Sequence, residues 1–213
     1  MVNKKSGYVP KNRGKVIKKR NPIIFVNAEG VNKTETNYLK KFSNRALKIV
    51  FSSDHSTDPE TMVKKLAEDM KKYDFNAEYG DKSYCLIDSD VNVYKDVQIS
   101  KADSFAKRKS IELIVSSPCF EIWYICHFHC CSMKQYNSSS EVQQDLLECM
   151  PSYKKNSDNL YEILYEKTNI ATKNAKKMEQ DLLKNGFRLH TVKFMPSTEV
   201  YRIIEYINSI KKD

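Results

Sequence analysis

Glu29, Asp88 and Asp90 are the residues of this 213-residue chain whose types and spacing best suit chemistry. Each follows a short apolar run: Ile23-Ile24-Phe25-Val26 precedes Glu29, and Tyr84-Cys85-Leu86-Ile87 precedes Asp88-Ser89-Asp90. If those runs are neighbouring parallel strands, the acids meet at the carboxyl ends, where open α/β sheets bind their ligands. Asp88 and Asp90 stand two apart, so at a strand exit both can turn toward one cation. A hard divalent ion, Mg²⁺ or Mn²⁺, is held by one or two carboxylates and keeps other positions for water or phosphate oxygens. Glu29 would complete such a site or act as general base on an attacking nucleophile. The structural alternative makes Asp88 and Asp90 an Asx turn and Glu29 a helix cap.

Other candidates surround these three. Glu35, beside Thr34, either faces the same pocket or complements the dipole of its helix as a first-turn acid. Glu121, within Pro118-Cys119-Phe120-Glu121-Ile122-Trp123, is either a paired, partly buried acid or the one polar position of an amphipathic turn. The run Cys126-His127-Phe128-His129-Cys130-Cys131 invites a zinc reading, but its spacing does not give the two separated ligand pairs of structural zinc sites. No orienting partner for a Cys-His nucleophile can be identified. Neither GxGxxG nor a P-loop occurs, which argues against a nucleotide-hydrolysing motor within the chain.

The elements that must position these residues follow from periodicity. Strands are predicted at residues 23–26, 46–51, 84–87 and 111–115. A helix is predicted from about Thr34, another from Ser56-Thr57-Asp58-Pro59-Glu60 with a cap before proline, and a polar one through Phe105. That alternation implies βαβ units and a parallel α/β sheet. Beyond Phe128 the character turns helical, with apolar positions at Leu146, Leu160, Ala171, Ala175, Met178 and Leu182. Residues 187–194 read as one more strand. Pro196-Ser197-Thr198 then starts a last helix with Val200, Ile203, Ile204, Ile207 and Ile210 on one face. The organisation read from this is a basic arm at 1–21, an α/β core at 22–130, and a mainly helical part at 131–213 completing the same domain.

Charge is distributed unevenly. The chain holds 36 Lys+Arg against 27 Asp+Glu, and eight of the basic residues fall within the first 20, with no acid among them. Such an arm can neutralise phosphates in a salt-dependent way, or merely aid solubility. Lys15, Lys18, Lys19 and Arg20 are its candidate phosphate contacts. Thirty lysines against six arginines weaken any case for base readout, which favours bidentate arginine. No apolar run approaches the roughly 20 residues needed to span a bilayer, so no integral membrane protein is expected. No apolar segment follows the basic start, and six cysteines without such a signal read as reduced thiols of a cytoplasmic protein.

In serial order, Glu29-Gly30, Lys33-Thr34-Glu35, Asp88-Ser89-Asp90 and Ser117-Pro118-Cys119-Phe120-Glu121-Ile122-Trp123 through His127-Phe128 resemble the RloB-like family. Tyr153-Lys154-Lys155, Asn174-Ala175 and Pro196-Ser197-Thr198-Glu199-Val200 fit it too, and the likeness covers about residues 22 to 205. The resemblance implies a Toprim-like fold, a small parallel sheet flanked by helices, with Mg²⁺ (or Mn²⁺) held by Glu29, Asp88 and Asp90 for phosphodiester chemistry. Glu121 joins these as a catalytic candidate, Glu35 and His127 as support, and Lys33 as a phosphate contact. The implied function is a metal-dependent nuclease acting on RNA such as tRNA, or on DNA, in bacterial antiphage defence beside an AAA or ABC-type ATPase. The alternative is a non-catalytic nucleic-acid-binding or regulatory subunit of such a complex. A phosphatase of the haloacid-dehalogenase type, suggested by Leu86-Ile87-Asp88-Ser89-Asp90, fits less well, because two βα units precede the motif and no later Asp-Asp pair follows.

Overall fold

A computed structural model describes residues 20–29, 34–53 and 55–210. Its centre is a five-stranded sheet in the order β2-β1-β3-β4-β5. β1 (Ile23–Ala28), β2 (Lys48–Phe51), β3 (Lys82–Asp88) and β4 (Glu112–Ser117) run parallel, and β5 (Ser197–Thr198) joins β4 antiparallel. This is the expected α/β class, with a mostly parallel sheet consistent with a Toprim-like arrangement. Helices α1 (Thr34–Lys40), α2 (Pro59–Lys72) and α3 (Val93–Lys107) connect the strands. After β4 come α4 (Glu121–Ile125), α5 (Ser139–Cys149), α6 (Leu160–Leu164), α7 (Thr168–Lys184) and α8 (Val200–Ile210). Among the described residues no helix is long and apolar enough to cross a membrane.

The strands are apolar on both faces because helices cover both, and the two-residue period divides their side chains between two cores. Phe25, Cys85, Ile87, Leu113 and Val115 pack against Met62, Val63 and Leu66 of α2 and Ile99, Ala102 and Ala106 of α3. Ile24, Val26, Tyr84, Leu86 and Ile114 face the other way, onto α1, α4 and the helices that follow. Trp123, Tyr124 and Ile125 of α4 lie at the centre of that second core, fully buried. α2 starts as its sequence dictates: the Asp58 carboxylate accepts the Thr61 N–H at 2.9 Å, with Pro59 in the first turn.

The C-terminal part differs from the sequence expectation at one element. Residues 187–194 form turns, and the fifth strand is Ser197–Thr198, ahead of α8. The reason lies in where the backbone donors go. Val192 N–H is taken by the Asp96 carboxylate (2.6 Å) and Phe194 N–H by Thr191 O (2.9 Å), so neither is free for a ladder. Beyond β5, Glu199 continues the pairing with its side chain as well as its backbone. Its N–H donates to Val115 O at 3.2 Å, while its carboxylate accepts Val115 N–H at 3.0 Å.

Arg20 also serves the fold. Its guanidinium donates to both Asp81 oxygens at 2.8 and 2.5 Å, donates to Asp74 O at 3.0 Å and stacks over Tyr79. Asp81 in turn accepts Ile23 N–H and Asn76 N–H, fastening the start of β1 to the turn before β3. The arginine proposed as a phosphate contact is thus engaged within the chain. The other candidate contacts, Lys15, Lys18, Lys19 and Lys33, lie outside the described residues.

Candidate active site

β1 and β3 are the adjacent central strands, and the chain leaves them in opposite directions, β1 toward β2 and β3 toward β4. Their carboxyl ends form the switch point of the sheet, where the diverging connections leave a crevice. Glu29 and Asp88 stand there. One Glu29 oxygen accepts Asp88 N–H at 3.1 Å, so these two sequence candidates are held together directly.

The turn after β3 is pinned to the end of β4. Ser89 N–H donates to Ser116 O, Asp90 N–H donates to Pro118 O, and the Ser89 and Ser117 hydroxyls lie 2.7 Å apart. Asp90 (φ 53°) and Val91 (φ 50°) both adopt left-handed backbone, which is strained for a β-branched valine. That conformation turns the chain sharply into α3, where the Asn92 side chain accepts Tyr94 N–H as the cap.

Lys95, in the first turn of α3, was not among the sequence candidates. Its ammonium donates to Glu29 Oε1 at 2.6 Å and to Asp88 O at 3.0 Å, and pairs with Asp90 Oδ2 at 2.9 Å. Burial pulls its pKa down, but the hydrogen bonds with Glu29 and Asp90 outweigh that and leave it raised. A signal for it exists in the sequence: Lys95, Ile99, Ala102 and Ala106 fall on one helical face, the buried one. A lysine on an apolar stripe, following two strand-end acids, requires an anionic partner inside.

Glu35 and Glu121 complete the acidic group. Both are more than nine-tenths buried, at 8% and 3% exposure. Glu121 starts α4; its Oε1 accepts the Tyr153 hydroxyl at 3.0 Å and the Gln143 amide at 3.4 Å, with Lys155 Nζ 3.8 Å away. Tyr153 and Lys155 come from the loop between α5 and α6, and this loop also fastens α1, since Asn156 O accepts from the Asn37 amide. Glu35 Oε2 is buried with no hydrogen-bond partner among the described residues.

The electrostatics follow from this crowding. Burial raises the Asp88 pKa well above the carboxylate range, and Glu35, Glu121, Glu29 and Asp90 raise it further, in that order. Burial and then Glu121 push Glu35 up to about 7, opposed by Lys155 and the backbone. Burial also raises Glu29, against the opposing pull of Lys95. Five acidic residues (Glu29, Glu35, Asp88, Asp90, Glu121) thus stand with two ammonium groups: Lys95 pairs with Glu29 and Asp90, and Lys155 lies 3.8 Å from Glu121. The donor set is all oxygen and fits a hard divalent cation in kind and charge. As placed, no three His, Cys, Asp or Glu side chains among the described residues form a ready-made metal cage.

His127 lies apart from these groups. Its Nδ1–H donates to Trp123 O at 2.8 Å and its Nε2 accepts from the Tyr38 hydroxyl at 3.3 Å. Burial pushes its pKa down to about 4, so it is a neutral core histidine. All six cysteines are free thiols. Cys119 is raised by burial and by Glu121 and Asp88, which keeps it protonated.

Comparison with known proteins agrees with the serial motifs. A family model described as RloB-like protein matches residues 24–207, which span β1 to α8 and every acidic residue of the site. No curated protein and no solved structure matches the chain. The chain belongs to the RloB-like protein family.

Proposed function

We propose that this chain is a divalent-metal-dependent nuclease that hydrolyses phosphodiester bonds at the carboxyl ends of β1 and β3. The observation that carries this reading is that Glu29, Asp88 and Asp90 stand together at the switch point of a parallel sheet, Glu29 accepting Asp88 N–H and Lys95 bridging Glu29, Asp90 and the Asp88 carbonyl. Asp88, with Asp90 and Glu29, would hold Mg²⁺ or Mn²⁺, and Glu121 would support the site. When bound, such an ion polarises a phosphoryl oxygen and lowers the pKa of an attacking water. Lys95 holds the Glu29 and Asp90 carboxylates and the end of β3 in place. Lys155, 43% exposed at its side chain, would meet a non-bridging phosphate oxygen. Tyr153 orients Glu121 through its hydroxyl. Action on RNA such as tRNA or on DNA, antiphage defence, and an AAA or ABC-type ATPase partner belong to the same proposal through the family resemblance.

The test is cleavage of total tRNA, single-stranded DNA and duplex DNA with Mg²⁺ or Mn²⁺ against EDTA. Asp88→Asn and Glu29→Gln run beside the wild type, their folding checked by circular dichroism. Metal-dependent cutting that falls by about a hundredfold or more in Asp88→Asn supports the reading. A folded Asp88→Asn protein that cuts at the wild-type rate refutes it.

A further inference from the structure

A cleft of about 850 Å³ opens between α3, the start of β4, residues 188–191 and the first turn of α8, and none of the five acidic residues of the candidate active site lines it. Its size is that of a small-ligand site, and its walls are tied together. Asp96 of α3 accepts Val192 N–H at 2.6 Å, and the Thr191 hydroxyl donates to Arg188 O at 2.7 Å. Buried Glu199 joins loop, helix and strand: it meets His190 Nε2 at 2.9 Å, Arg202 at 2.8 Å and Val115 N–H at 3.0 Å.

Most charges along the cleft are spent on such ties. Arg202 also meets Glu112 at 3.3 Å, and Lys107 meets Asp103 at 2.6 Å. Lys101 and Arg188 are different: both are exposed, and neither has an ion-pair partner among the described residues. Two unpaired cations bordering one cleft suit an anionic group, which both can contact at once.

The sheet edge reaches the same cleft. β5 pairs with β4 at Ser116 and Ser117, and Glu199 takes up the N–H and C=O of Val115. Strand alternation points the N–H and C=O of Leu113, a lining residue, toward this same edge, beyond the reach of β5. Ile111 N–H is spent on Ala106 O, so the open stretch offers one donor–acceptor pair. That is too short for an added peptide strand, whose affinity comes from a row of main-chain bonds. It matches the donor–acceptor edge of a nucleobase. Val97, 57% exposed, and Leu189 supply apolar surface beside it for a planar ring.

We propose that this cleft binds a nucleotide, with the base edge on the Leu113 backbone and the phosphates on Arg188 and Lys101. The site goes beyond the nuclease reading and does not depend on it. A free nucleotide and the 5′-terminal nucleotide of a strand share this chemistry, so both are tested.

The experiment is calorimetric titration of the full chain with ATP, GTP, CTP and UTP, with 5′-phosphorylated RNA tetranucleotides, and with inorganic phosphate. EDTA is present throughout, so that no divalent ion recruits phosphate to the acidic group. At least one nucleotide or tetranucleotide is expected to bind about tenfold or more tighter than phosphate; the tighter of the two forms identifies the source. Arg188→Ala and Lys101→Ala, at exposed positions that leave the fold intact, should each weaken binding about tenfold or more. Lys64→Ala, an equal loss of charge on α2, should change it by less than about twofold. The proposal is overturned if neither form binds, if phosphate alone binds as tightly, or if folded Arg188→Ala or Lys101→Ala binds like the wild type. Binding of a hexaglutamate peptide in place of nucleotides overturns it in favour of a peptide partner. The nuclease reading turns instead on cutting by Asp88→Asn, so either can fail while the other stands.

Discussion

Replacing Lys95 by Met tests how far the acidic group depends on its internal cation. Methionine keeps the length and apolar stem of the side chain and removes only the ammonium. Three contacts are lost: Glu29 at 2.6 Å, Asp90 at 2.9 Å and the Asp88 carbonyl at 3.0 Å. Removing one partner of a buried ion pair costs about 3–5 kcal/mol. The Asp90 side chain is 47% exposed and regains water, whereas that of Glu29 is 14% exposed and does not. The larger part of the cost therefore falls on Glu29, and a destabilisation of about 2–3 kcal/mol follows. The sign of the pH dependence is fixed by the same residue. Burial already raises the Glu29 pKa in the presence of Lys95, and without the ammonium it rises further. A carboxyl whose folded pKa is raised contributes stability at low pH that is lost as pH increases. The deficit relative to wild type must then be larger at pH 8 than at pH 5, because protonation, which removes the need for a counter-ion, is favoured as pH falls. Urea unfolding followed at 222 nm at both pH values measures it. A deficit below about 1 kcal/mol at pH 8, or one that grows toward pH 5, would falsify the account of Lys95 as the buried counter-ion of Glu29.

Two further outcomes are expected away from the acidic group. Arg20→Ala leaves Asp81, whose side chain is fully buried, with only its backbone donors. The cost is about 2 kcal/mol, or about 4–8 °C in melting temperature, and a thermal shift below 2 °C would contradict the fastening role of the pair. His127 has its folded pKa at about 4 against 6.5 in the unfolded chain. The native state therefore loses stability as pH falls through 6.5, accumulating about 2–3 kcal/mol by pH 4.5. Urea midpoints at pH 7 and 4.5 should fall further in the wild type than in His127→Asn; equal slopes would place the histidine outside the apolar core.

The sheet was legible because its strands are unbroken β-branched or apolar runs, and Asp58-Pro59 announced α2 with both a cap and a fixed φ. Glu29 and Asp88 were legible for a related reason: an acid at the end of a buried strand has few positions other than the crevice. What the sequence hid depends on long-range partners. Leu189, Val192 and Phe194 alternate like a strand, yet Asp96, nearly a hundred residues earlier, claims the Val192 N–H. Tyr153 and Lys155 carry no local pattern, and only the fold of the loop after α5 brings them to Glu121. Arg20 closes a basic arm in sequence, but Asp81 decides its role. His127 stands among cysteines and another histidine, and nothing local announces that Trp123 and Tyr38 use both of its nitrogens.

The pairing of β5 with β4 also sets a timetable. Ser116 and Thr198, whose hydroxyls meet at 3.0 Å, are 82 residues apart in the chain. Ribosomes add about 5–20 residues per second, so β4 emerges several seconds before the strand that covers its edge. Through that interval a nascent chain already carries every acidic residue of the site, while the backbone groups of Ser116 and Ser117 lack their β5 partners, an open template for another strand. A translation product cut short before Ser197 would therefore keep the chemistry-bearing residues and lose the edge that holds the Ser89–Ser117 contact steady.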